Sequence, residues 1–337
     1  METTVNGLSI IFNCYLLYLI QYYSTFGVKV YKYLLTADAL LDLALAVVVF
    51  IAQPVGLTGD GYTVMISNGF FAGWSPVVDS LLITLFAFIL HTNVLWIPVQ
   101  FVYRYRLLCK ENENSRQANI LIVTVATLYS LIAWFVVSAM CQVREEFQAK
   151  GEYVLDLNDW PKHDERRITY YVGSYVKDWR MITWLFLWII TCSASIFIVI
   201  WCEKRIIKSF KQFGRPTQAS TQKMHKDFHR ALLAMAICPL ITTCIPLFYF
   251  CVTIGFSLCP GKISSIMSLG TTCITLFNPL TTILFLRCYR RAAVRLITCG
   301  LRSNVVDPGE TAIQKNIISG QNHSPQAYAI SNNNPMI

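Results

Sequence analysis

The sequence predicts an all-α membrane protein, a seven-transmembrane helix bundle with its N-terminus outside and its C-terminus in the cytosol. Three observations carry that expectation. Hydrophobic residues fill 55% of the 337 positions and charged residues only 14%, with a mean hydropathy of +0.47; a soluble domain carries roughly 25% charge. Windows free of Asp, Glu, Lys and Arg recur at 3–28, 43–59, 80–103, 117–143, 181–202, 231–261 and 263–286. Lys and Arg gather on alternate connections between those windows.

Each window is read against the length of a span. A helix needs about 20 residues to cross the hydrocarbon core, and a charge at its centre costs at least about 2.5 kcal/mol. The second window reaches full length only by starting near Tyr33, which takes in Asp38 and Asp42 near one end. The third extends back to about Ser75 and takes in Asp79. The expected spans are 6–25, 33–54, 75–103, 118–140, 180–202, 230–254 and 264–286, within a domain covering 1–302. The apolar run from Leu8 has no basic stretch before it, so the first span is expected to stay as a signal anchor. Residues 303–337 are polar and rich in Asn and Ser, the composition of a disordered cytosolic tail.

Direction follows from the basic residues. With the N-terminus outside, 20 of the 28 Lys and Arg fall on the cytosolic side. Of the other eight, seven lie in or beside the long connection 141–179, where acidic residues balance them. The positive-inside rule therefore selects N-out and C-in. The net charge of +9 belongs to a membrane surface and not to nucleic-acid binding. Cys14, Cys192, Cys238, Cys244, Cys251 and Cys273 lie inside apolar segments, unlike a disulfide framework or zinc site.

Few polar residues enter the spans, and each has a functional and a bland reading. Asp38 and Asp42 share a face of the second helix. Asp38 is expected at the water interface. Asp42, a turn deeper, is expected to join Asn278 of the seventh helix in an internal polar network, because buried carboxylates find partners. Asp79 is a candidate for a cationic ligand, for pairing with Arg180, or for simple hydration. His91 and Trp96 complete a candidate ligand pocket, although a hydrogen-bonded structural role for His91 is the simpler reading, and Asn93 shares that choice. Pro239 and Pro246 kink the sixth helix, either as a hinge or as a static bend. After the seventh span, Arg287, Arg290, Arg291 and Arg295 alternate with Val294, Leu296 and Ile297, a pattern suited to the anionic inner leaflet. Cys288 and Cys299 there are candidates for palmitoylation. No zincin, hydrolase or P-loop signature occurs, and nothing implies an enzyme, a cofactor or a metal.

The third span ends in Phe101-Val102-Tyr103-Arg104-Tyr105-Arg106, and the seventh in Asn278-Pro279-Leu280-Thr281-Thr282 with Arg287-Cys288-Tyr289-Arg290-Arg291 following. These segments, with Asn68-Gly69, Trp74-Ser75-Pro76 and Leu90-His91, resemble the nematode serpentine chemoreceptors of class delta, the Srd family of the Str superfamily. The resemblance covers about residues 8–300. It implies a G-protein-coupled chemosensory receptor of the plasma membrane and sensory cilium, acting in olfaction. A small molecule or odorant binds between the outer helix halves, and a heterotrimeric G-protein binds at the cytosolic face. Tyr103, Arg104, Tyr105, Arg106, Asn278 and Pro279 would form the coupling switch; the bland reading of Arg104 is an arginine that snorkels to the interface. The standard disulfide of rhodopsin-like receptors is absent. Cys141 and Cys259 both fall near the outer face, as a pair or as unrelated positions. The rival reading is a ligand-gated channel or transporter, which the scarcity of intramembrane charge and the lack of repeats disfavour.

Overall fold

The computed structural model describes residues 2–24, 31–72, 74–109, 115–140, 171–212 and 263–298, with isolated positions within 150–154 and 233–256. In chain order the elements are α1 (Glu2–Tyr23), α2 (Lys32–Ala52), β1 (Pro54–Gly59), β2 (Tyr62–Ser67), α3 (Pro76–Cys109), α4 (Ser115–Met140), β3 (Tyr171–Tyr175) and α5 (Trp179–Gln212). The described positions 233, 237, 241, 242, 245, 246, 248, 249 and 251–254 are helical and are labelled α6. They are followed by α7 (Ile263–Phe285) and α8 (Arg287–Thr298). Cys141, Cys259, Cys299, Pro239, most of the 203–229 connection and the tail from 299 onward lie outside the described residues. Two units are distinguished, 1–293 and 294–337; the second is described only over the last turn of α8.

Helices α1 to α5 each carry a stretch long and apolar enough to cross a membrane, and α7 carries a shorter one over Cys273–Phe285. Local chemistry sets their ends. Ser75 caps α3 by accepting the Val78 N–H at 3.2 Å, with Pro76 in the first helical position, where its missing N–H costs nothing. Asp178 caps α5 by accepting the Arg180 N–H at 2.9 Å. Gln53 closes α2 in the left-handed conformation, its N–H bonded to Val49. α3 and α5 run on past their apolar windows to Cys109 and Gln212.

α3 packs against α2, α4 and α5, while α1 packs against α2 and α7. At one end, Leu16, Leu19, Ile20, Tyr31, Leu35, Ile283, Leu286 and Tyr289 form a shared core. Basic residues ring this end, which we call the basic end. Mid-bundle, Leu45, Val49, Leu90, Val94, Trp188 and Ile274 interlock. At the other end Ile83, Ala87, Val137, Met181 and Ile254 pack together.

That far end also holds a feature the helical expectation did not contain. β1, β2 and β3 form an antiparallel sheet in that order. Asp60 and Gly61 both have positive φ, 48° and 78°, as a two-residue turn with the right-handed strand twist requires. Leu57 faces Val64, and Tyr62 faces Tyr175 with ring centroids 5.0 Å apart. Val55, Leu57, Val64 and Ile66 bury themselves with Val154. The sheet thus fastens part of the long connection to the bundle.

Gly69 docks this sheet on α2. A Cβ there would lie 1.7 Å from the Ile51 carbonyl oxygen, inside backbone that cannot yield, and that same oxygen accepts the Phe70 N–H at 3.1 Å. Gly69→Ala is expected to lower the unfolding temperature and to speed amide exchange in β1 and β2. Overpacking of this kind costs roughly 1–3 kcal/mol. Parent-like exchange in the hairpin would show that the approach is not tight.

Candidate functional site

A polar seam runs through the bundle. Asp42 is 2% exposed and on α2. Its Oδ1 accepts from Asn93 Nδ2 of α3 at 2.7 Å. Asn278 Nδ2 of α7 donates to both carboxylate oxygens, at 3.2 and 2.9 Å. One carboxylate therefore ties three helices. A turn towards the basic end, Gln100 Nε2 of α3 donates to Asp38. Asp38, expected at the water interface, is half-buried and paired with Gln100.

Pro279 extends the seam to α1. Proline has no N–H to give to the carbonyl four residues earlier, here that of Thr275. Asn13 Nδ2 of α1 supplies the missing donor at 2.8 Å. The Asn278-Pro279 pair is thus a junction: one residue reaches α2, and the other frees a carbonyl for α1. The Thr281 and Thr282 hydroxyls donate to the Asn278 carbonyl at 2.9 and 2.8 Å.

At the basic end α3 presents four consecutive residues to four surroundings. Arg104 points inward and is 1% exposed. Its guanidinium carbon lies 5.4 Å from the Phe101 ring centre, and Tyr31, Glu203 and Cys202 are its electrostatic neighbours. Tyr103 lines a cleft of about 350 Å³ with Tyr33, Trp96 and Ile120. Tyr105 turns to α5 and meets Trp201 edge-on at 5.1 Å. Arg106 is half-buried. Beside Arg104, the Tyr31 hydroxyl is pushed up by burial and drawn back by the guanidinium. Tyr289 is fully buried and shares a hydrogen bond with Ser24 at 3.0 Å; burial holds its hydroxyl neutral well above the ordinary range.

The candidate pocket residues do not converge. Asp79 is buried in the first turn of α3. Arg180 is taken by Asp178 at 2.7 Å and donates to the Ala139 carbonyl, also at 2.7 Å, so these partners lie at its own helix end and on α4. Trp96 faces the cleft between α2, α3 and α4, which continues over about 380 Å³ past Leu40, Thr92 and Ala126. His91 faces α4 and α5, against Tyr129 and Trp188. A helix turns by 100° per residue, so His91 and Trp96 cannot share a face.

A family model for the "Serpentine type 7TM GPCR chemoreceptor Srd" matches residues 2–295. The chain belongs to the Srd family of serpentine chemoreceptors. No curated protein matches it. The Srd chain is similar in backbone to squid rhodopsin, with a TM-score of 0.54 at 12% identity over 96% of this chain and 90% of that one. That likeness shows the fold: a multi-pass membrane protein with the seven-transmembrane receptor architecture.

Within this Srd chain, Asn93, Gln100, Asn13 and Glu203 hold positions that sequence reasoning either passed over or left open. The available signal was polarity inside an apolar window. An Asn or Gln at mid-span needs a partner, and helical spacing puts Asn93 and Gln100 seven apart on one face of α3. In α8, Tyr289, Ala292 and Ala293 are buried while Arg290 and Arg291 are exposed. Cys288 is half-buried against the α1–α2–α7 core, a poorer acceptor for palmitate than an exposed thiol.

Proposed function

We propose that this Srd protein is a G-protein-coupled chemosensory receptor, oriented N-out, in the plasma membrane of a sensory cilium. The observation that carries the reading is Arg104: a guanidinium enclosed at the basic end of the bundle, beside Tyr31 and Glu203. A cation held this way has two arrangements open to it, inside among its neighbours or outside on a partner. A small molecule that binds the sheet-end half more tightly in one helix arrangement shifts the balance. The Asp42, Asn93, Asn278 and Pro279 seam is the rigid linkage between the halves, and its contacts on α2, α3 and α7 move as one. The basic end, with Tyr103, Tyr105 and Arg106, is the face offered to the G-protein. The boundary of the receptor domain near 302 and the Cys141–Cys259 pairing belong to the same reading.

The test is surface expression with a G-protein reporter and a screen of volatile and small soluble compounds. A ligand-evoked, G-protein-dependent signal is expected. Ligand-evoked currents that persist with G-proteins blocked would instead identify a channel or transporter.

A further inference from the structure

Along one buried face of α5 lie Trp188, Thr191 and Ser195, each at most 2% exposed, and opposite them on α3 lies His91, 2% exposed. The His91 ring stands 4.7 Å from Trp188, nearly perpendicular to it, and 5.5 Å from Tyr129 of α4. The Thr191 hydroxyl has one proton and gives it to the Leu187 carbonyl at 2.7 Å. Towards His91 Nε2, 3.5 Å away, it can then only accept. This assigns the proton of His91 to Nε2 and leaves Nδ1 as a bare acceptor.

His91 Nδ1 is buried without a partner, as are the Trp188 indole N–H and the Ser195 hydroxyl. Buried polar atoms are nearly always paired, so an unpaired acceptor and an unpaired donor on two rings in contact mark a place that something else completes. The pair holds one acceptor and one donor, with the Ser195 hydroxyl one turn beyond Thr191 on α5. Leu90, Val94, Cys192, Trp184 and Phe86 form an apolar wall beside Trp188. The groups of this box are themselves uncharged, so a charged guest would find no counter-charge among them. Its complement is neutral, small, and carries a proton to give and a lone pair to take.

Resting on the receptor reading above, we propose that this α3–α4–α5 box is the polar subsite of the ligand pocket and that its ligand class is small neutral alcohols. The ligand hydroxyl donates to His91 Nδ1 and accepts from the Trp188 N–H, while its hydrocarbon body lies against the apolar wall. A carbonyl compound satisfies only the Trp188 donor, and a hydrocarbon satisfies neither group. Trp188 and His91 are then the residues that set specificity.

The experiment uses the full-length protein in lipid nanodiscs, with protein-free discs correcting for partition into lipid. The probes are two matched sets: cyclohexanol, cyclohexanone and methylcyclohexane; benzyl alcohol, benzaldehyde and toluene. Binding is read as tryptophan emission and thermal shift. In at least one set the alcohol is expected to bind on the order of 100-fold tighter than the hydrocarbon, with the carbonyl compound between, because a site built around a hydroxyl rejects analogues lacking it. Trp188→Phe keeps a ring and removes the donor, and should collapse that preference to a few-fold while hydrocarbon binding persists. His91→Phe keeps a ring and removes the acceptor, and should likewise collapse the preference where Trp188→Phe does not fold. Alcohols binding no tighter than hydrocarbons in both sets, or a preference indifferent to both substitutions, overturns the assignment and leaves the box filled by water. Alcohol binding without any G-protein signal would sink the receptor reading and keep the site. A signal driven equally by hydrocarbons would do the reverse.

Discussion

Asp42→Ala is expected to be the most damaging single substitution in the bundle. The side chain removed is the common acceptor of Asn93 and Asn278. Both amides would then be left facing each other across a buried gap, donor towards donor. A stranded buried donor costs roughly 1–3 kcal/mol, less where a membrane helix finds another partner. The two together put the loss at roughly 2–4 kcal/mol. For a chain of this size that is a fall on the order of 3–6 °C in unfolding temperature, measured on the protein in nanodiscs. Asp42→Asn keeps the shape and one acceptor oxygen, so its loss should be smaller. The double substitution Asp42→Leu with Asn278→Leu should recover part of the loss, because removing both sides of a buried polar contact is milder than removing one. Equal stability of Asp42→Ala and the parent would mean that the seam carries no weight.

Arg104→Ala should abolish agonist-evoked signalling and leave agonist binding intact. In the proposed switch the guanidinium leaves Tyr31 and Glu203 for the partner, and alanine offers nothing to either. Glu203→Gln should act in the opposite direction. It removes a negative neighbour from the enclosed position, so basal signalling should rise about 5-fold or more, the lower end of ordinary coupling between two states. Both variants are read with the reporter at matched surface expression. A signalling-competent Arg104→Ala would reduce this residue to an anchor that sets depth.

The spans were legible because the bilayer imposes a one-dimensional rule. Length and the exclusion of charge can be counted along a chain, and α1 to α5 occupy such windows. The sheet was written in the sequence as well, in Asp60-Gly61 between Leu57, Thr58 and Thr63, Val64, which is a strong hairpin signal. A search for spans passes over it, since a connection is not asked for its own structure. The pocket residues fared worst. Asp79, His91 and Trp96 are all polar or aromatic and all on α3, but which neighbour each one faces depends on the rotation of α3 within the bundle.

The sequence by itself determined that this protein crosses the membrane, which windows are long and apolar enough to do so, and that Asp42 required a partner inside. It also carried the Srd segments around Arg104 and Asn278. Only the tertiary structure decided the partners: Asn93 as the second amide on Asp42, Asn13 at the carbonyl that Pro279 leaves open, Gln100 on Asp38, and Glu203 near Arg104. The reason is physical. Burial of apolar surface depends on composition along a segment, whereas hydrogen bonds are short and directional. They exist only where helices distant in sequence bring a donor within about 3 Å of an acceptor.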